Sequence, residues 1–106
     1  MATGRLGATA LSAGTNATVY ECPADTFAVV TVNICNRNAQ TRDVQLALAA
    51  ADTPTTAEYL EYNTEILGSG VLERGGIVMD AGKKIVAQAD STDVNVVVYG
   101  IETSTL

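Results

Sequence analysis

The side chains able to do chemistry in this chain are few. There is no histidine among its 106 residues, so the two cysteines, Cys22 and Cys35, lack the usual group that takes a proton from a nucleophile. A lysine or arginine would have to activate the thiol instead, and Lys83-Lys84 lie far off in sequence. The cysteine spacing matches no zinc pattern, and two sulfur ligands leave a tetrahedral site incomplete. Glu58, Glu61 and Glu65 fall within one segment, and Asp90 and Asp93 flank a turn. Paired carboxylates are the machinery of glycoside hydrolysis, but acids beside serine and threonine are ordinary on an acidic chain. Asp90-Ser91-Thr92-Asp93 offers only part of the roughly six to eight oxygens that calcium takes. Gly68-Ser69-Gly70 and Gly75-Gly76 lack the following Lys-Ser/Thr and the helix of a phosphate loop. The residues therefore predict no enzyme, no metal and no cofactor.

Tyr59 and Tyr62 stand three residues apart, so a helical turn would put both on one face. Such a pair either stacks on a sugar or a protein partner, or caps a core with its hydroxyls in water.

Composition narrows the classes further. Twelve acids against six bases leave a net charge of −6, which repels phosphate backbones and argues against nucleic-acid binding. Charged residues make up only 17%, below the roughly 25% of ordinary globular domains, which suits a surface used for association. Apolar residues at 47% are too many for disorder, yet no run approaches the roughly 20 residues of a membrane span. No basic stretch followed by an apolar block opens the chain, so it is expected to be made inside a cell and used or assembled there. Free thiols are expected in that setting.

Whatever these groups do, β-strands must position them. Short apolar runs alternate with turn residues at fairly even spacing, and no long helical pattern interrupts them. Strands are predicted at residues 16–22, 26–36, 43–50, 61–67, 71–79, 84–89 and 94–101. Ala28, Val30, Val32 and Ile34 form one apolar face, and Val44, Leu46 and Leu48 another. Residues 37–42 read as a hairpin loop. Thr55 and Glu58 have capping-box spacing, which predicts one short helical turn before the fourth strand. Gly75-Gly76 predicts a bulge or a sharp bend in the sheet. Residues 94–101 are apolar on both faces towards their end, as in a central or covered strand. The fold class is all-β: an antiparallel β-sandwich, jelly-roll-like, of about seven to eight strands.

Residues 1–15 stand apart from the sandwich domain at 16–106. They are rich in glycine and alanine, with Leu6 and Leu11 isolated. Ordering ~15 residues costs on the order of 1–2 kcal/mol each, which two leucines do not repay. This predicts an arm ordered against a neighbouring subunit, with Arg5 at the seam; the alternative is a plain edge strand. Arg5, Leu6, Leu11, Tyr59 and Tyr62 are the candidate interface residues.

Several phrases, in order along nearly the whole chain, carry a resemblance. They are Thr18-Val19-Tyr20-Glu21-Cys22-Pro23-Ala24, Val32-Asn33-Ile34-Cys35-Asn36-Arg37, Glu58-Tyr59-Leu60-Glu61-Tyr62, Gly70-Val71-Leu72-Glu73-Arg74 with Gly76-Ile77-Val78 and Ala81-Gly82, and Val96-Val97-Val98-Tyr99-Gly100-Ile101-Glu102. Together they resemble small structural proteins of tailed-phage virions, especially from aquatic phages. Asp25 departs from that pattern, standing where glycine usually follows Pro-Ala. The resemblance implies a β-sandwich that assembles into a symmetric particle. The expected function is a capsid decoration, or cement, protein that stabilises a phage head. Its partners would be the major capsid protein or other virion proteins and copies of itself, a trimer being favoured. It would reside in the virion, assembled in the host cytoplasm. The alternatives are a tail or fibre-associated adsorption protein, and a carbohydrate-binding module using Tyr59, Tyr62, Glu58 and Glu61.

Overall fold

The computed structural model describes residues 2–106. Eight strands form: β1 (Thr3–Ala10), β2 (Ala17–Glu21), β3 (Thr26–Asn36), β4 (Arg42–Ala49), β5 (Tyr59–Ile66), β6 (Val71–Met79), β7 (Lys84–Ala89) and β8 (Val94–Ser104). A 3-10 turn, Thr56–Glu58, the single one among the described residues, precedes β5. The strands make two four-stranded antiparallel sheets, β1-β8-β3-β6 and β2-β7-β4-β5. No helix among the described residues is long and apolar enough to cross a membrane.

The pairing has a simple logic. β1 lies on β8, β2 on β7, β3 on β6 and β4 on β5, as in one long antiparallel hairpin. Rolling that hairpin adds the pairs β3–β8 and β4–β7 and yields a jelly roll. Only β4 and β5 are consecutive strands within one sheet. Residues 37–41 are therefore not the hairpin loop that the sequence suggests, but a crossing between sheets. The reason is burial. β3 and β4 each have one apolar face, and facing each other across the core covers both.

That core is built from period-two alternation. Val30, Val32 and Ile34 of β3, Val94, Val96 and Val98 of β8, Val44 and Leu46 of β4, and Ile85 of β7 are all buried. Leu48 is only half-buried, at the end of the same face. Gly75 and Gly76 lie opposite Thr31, between the pairs Val30–Ile77 and Val32–Arg74. This is the expected bulge, and Gly76 takes its positive φ of 72°. Arg74, beside the bulge, pairs with Glu61 of β5 at 2.6 Å and so bridges the two sheets. Asp25 adopts φ 54°, the left-handed conformation that glycine would supply in this turn and that aspartate tolerates.

One buried and one part-buried polar cluster close the ends. The Asn36 side chain is fully buried. Its Nδ2 donates to the carbonyls of Gln40, Ile66 and Leu67, and its Oδ1 accepts from Asn38 N–H, so one residue ties both loops at that end. At the other end, Tyr20 Oη on β2 donates to Glu102 on β8 at 2.6 Å, linking the sheets. Glu102 also accepts from Ala2 N–H. These hydrogen bonds, that of Tyr20 first, hold the Glu102 carboxyl below the usual carboxylate range. Burial, then the Glu102 hydrogen bond, pushes the Tyr20 hydroxyl up.

The amino-terminal segment corrects the arm expectation. β1 is an edge strand of the chain's own sheet, laddered on β8 from Thr3–Ile101 to Ala10–Asn95. Leu11 is 2% exposed and Leu6 packs against the same core. Ladder hydrogen bonds to β8, beyond the burial of two leucines, hold this segment in place. Gly7 makes the entry fit, since a Cβ there would lie 2.2 Å from the Val19 carbonyl oxygen.

Deleting residues 1–11 is thus expected to unfold the domain. Losing one buried leucine side chain alone costs about 2–5 kcal/mol against a typical total of roughly 5–15. Circular dichroism with thermal melting checks it. A truncated chain that melts cooperatively near the full-length temperature would show β1 to be dispensable.

Candidate functional site

The outer faces of the two sheets differ in kind. On β1-β8-β3-β6, the register that buries the even residues of β3 turns the odd ones outward. Ile101, Val29 and Val78 then lie directly opposite one another across β8, β3 and β6. They are 55%, 41% and 65% exposed, and Phe27 stands two residues along β3 from Val29. This is a contiguous apolar row on an open sheet face. Its neighbour row is polar. Arg5 lies opposite Tyr99, whose hydroxyl donates to Glu73 at 2.8 Å.

The outer face of β2-β7-β4-β5 is partly roofed. Residues 50–58 cross it; two contacts of Asp52 tie them to the sheet and two of Glu58 brace the segment internally. Asp52 accepts from Thr18 Oγ1 at 2.6 Å and from Lys84 Nζ at 3.0 Å. Glu58 accepts from Ala50 N–H at 3.0 Å and Thr55 N–H at 2.8 Å, the second being the expected Thr55–Glu58 cap. Beneath the roof Tyr59 packs on Ala47, Ala49 and Val86. Tyr62 meets Tyr59 edge to face, with ring centroids 4.9 Å apart at 79°. Pro54, Thr56, Tyr59 and Tyr62 line an open depression of about 310 Å³. A second, of about 220 Å³, is lined by polar groups including Asp43, Gln45, Asn63, Gln88 and Asp90. Tyr62 lines the first hollow and Asn63, the next residue of β5, lines the second, so the two are neighbours at the slip of β5 against β4 although no residue lines both. Asn63 has φ 49°, at a bulge where β5 slips against β4, and Gln45 Nε2 donates to its Oδ1.

The structure separates most of the groups with chemical potential. Cys22 is buried and its thiol is pushed up by burial, while Cys35 is half-buried; both are free. Glu58 serves backbone amides, and Glu61 serves Arg74 and Thr64, so neither joins the tyrosines. Asp93 accepts from Asn38 Nδ2. No group of three or more Cys, Asp or Glu gathers among the described residues in a way that could hold a metal. Of the interface candidates, Leu11 belongs to the core and Leu6 is half-buried, whereas Arg5 is exposed on the first sheet and the tyrosines lie on the second. Sequence reasoning missed Phe27, Val29, Val78 and Ile101. Their signal was present in the apolar odd positions at the start of β3 and the two-sided end of β8. Comparison of the chain with protein-family models, with curated proteins and with solved structures finds no match.

Acid should loosen the roof. Asp52 is held below its usual range by Thr18 and then Lys84, and Glu58 by the amides of Thr55 and then Ala50. A depressed folded pKa stabilises above the unfolded value of about 4 and loses that contribution as pH falls through the folded one. Amide exchange over residues 50–58, corrected for intrinsic rates, is expected to rise on going from pH 7 to about pH 3 while β3 and β8 stay protected. Equal loss of protection throughout would contradict it.

Proposed function

We propose that the chain is a non-enzymatic virion structural protein that decorates a phage capsid, docking through the outer face of the β1-β8-β3-β6 sheet. The observation that carries this reading is the exposed row Ile101–Val29–Val78 with Phe27 beside it. Contiguous apolar surface on a small domain marks an interaction site, because leaving it wet forfeits roughly 25 cal/mol for each Å². The sheet beneath is fixed by ladder hydrogen bonds on both sides of β3, so the row meets a partner without reordering. Jelly rolls recur in viral capsid and lectin domains, and the phrases resembling phage virion proteins point to the first. In this reading copies cluster on the shell, a trimer being favoured, and bridge neighbouring capsid subunits by apolar burial.

The test uses capsids of the encoding phage assembled without this chain. Adding the purified protein is expected to saturate them and raise their melting temperature. The double variant Val78→Asp/Ile101→Asp is expected to fold, since both positions are more than half exposed, yet to bind at least about tenfold more weakly. No binding by the wild-type chain, or equal binding by the variant, would count against the proposal.

A further inference from the structure

From the opposite sheet we infer a second binding site, for a neutral hexopyranose glycan, in the neighbouring hollows on the outer face of β2-β7-β4-β5. This inference is independent of what the first sheet docks on. Three features of the hollows specify the ligand.

The first is the aromatic pair. Tyr59 is anchored on Ala47, Ala49 and Val86, and it holds Tyr62 edge to face. Tyr62 nevertheless remains 62% exposed. A fixed, wet aromatic ring offers a negative π-face, and the axial C–H groups of a pyranose present a weakly positive apolar face to it. Pro54 and Thr56 add a side wall, and Asp52 and Glu58 hold that wall in place through the contacts described above. At about 310 Å³ the hollow is near the lower limit of ligand-sized clefts, as suits a single ring.

The second is the polar half. Asp43, Gln45, Asn63, Gln88 and Asp90 bring amides and carboxylates together on one surface. Amides both donate and accept, and carboxylates accept, which is the set needed by vicinal hydroxyls that do both. The side chains are partly preset. Gln45 Nε2 is fixed on Asn63 and Gln88 Nε2 on the Gly14 carbonyl, which leaves the Gln45 and Gln88 carbonyl oxygens as acceptors.

The third is charge. Neither hollow is lined by lysine or arginine. A phosphorylated or carboxylated sugar would meet Asp43 and Asp90 with no compensating cation, so the ligand is neutral. A cationic peptide group would want a carboxylate beside the rings, and the aromatic hollow is lined by none. Both hollows are open, so single-site affinity is weak. Many copies on one particle would add avidity without new contacts.

The experiment is a titration of the isotope-labelled chain, followed by amide and tyrosine-ring resonances. The probes are methyl glycosides of glucose, galactose, mannose and N-acetylglucosamine and their short oligomers. At least one is expected to shift signals of residues 43–47, 54–63 and 86–90 at millimolar concentration. Tyr62→Ala is expected to weaken that binding about tenfold or more with little change in melting temperature, since Tyr62 is largely exposed; Gln88→Ala, at a half-buried residue that also holds the Gly14 carbonyl, is expected to weaken it similarly with its melting temperature measured alongside. Val78→Asp/Ile101→Asp is expected to leave it intact, which separates this site from the capsid contact. The inference is overturned if no sugar of the panel shifts these residues, if Tyr62→Ala binds as tightly as the wild type, or if a lysine-rich peptide takes the site and no sugar does.

Discussion

Val30, Val32 and Ile34 face the core because β3 lies on β8 in one unbroken register, from Thr26–Ser104 to Asn36–Val94. A slip of one residue would turn every side chain of β3 to the other face. Three fully buried apolar side chains would become wet, at about 1.5–3 kcal/mol each, and Thr31 and Asn33 would enter the core without partners. The same register decides what the molecule shows. It is β3 against β8 that sets Val29 beside Ile101 on the outside, and β3 against β6 that adds Val78. Core and candidate docking face are thus two sides of one constraint.

The rolled hairpin then gives the two sheets different outer surfaces. The β1-β8-β3-β6 sheet is bare and its exposed row is apolar. The β2-β7-β4-β5 sheet is crossed by residues 50–58, which the long β4–β5 connection makes available and which carboxylates at Asp52 and Glu58 pin down. One face is suited to dry burial against a large partner. The other combines a fixed aromatic pair with amides and acids, a lining that favours a hydroxyl-rich ligand. Under the proposed capsid role, docking through the first face leaves the second turned to solvent.

Strand positions were legible because alternation is a local signal. Each expected strand is present, and the Thr55–Glu58 turn and the Gly75-Gly76 bulge lie where turn chemistry put them. Sheet membership was not legible, because two half-apolar strands can pair side by side or face each other, and only the whole chain decides. That is why residues 37–41 read as a hairpin. Leu11 was misjudged because its burial depends on β8, some 80 residues on, closing the ladder on β1. The candidate site was legible only in part. Tyr59 and Tyr62 stood out, but Gln45, Asn63 and Gln88 come from three strands and nothing in their local sequence marks them. Asn36 and Arg37, part of a familiar phrase, turn out to fix loops. Arg37 donates to Asn95 and to the Thr92 carbonyl.

The central claim is that the register-defined apolar face is where this domain meets its neighbours. Under the proposed capsid role, a cryo-EM map of the assembled particle, with this chain placed in density, tests it most directly. Phe27, Val29, Val78 and Ile101 are expected to pack against a neighbouring capsid or decoration subunit, with Tyr62 and Gln88 facing outward. A map in which that row faces solvent and the tyrosine face lies on the shell would contradict it.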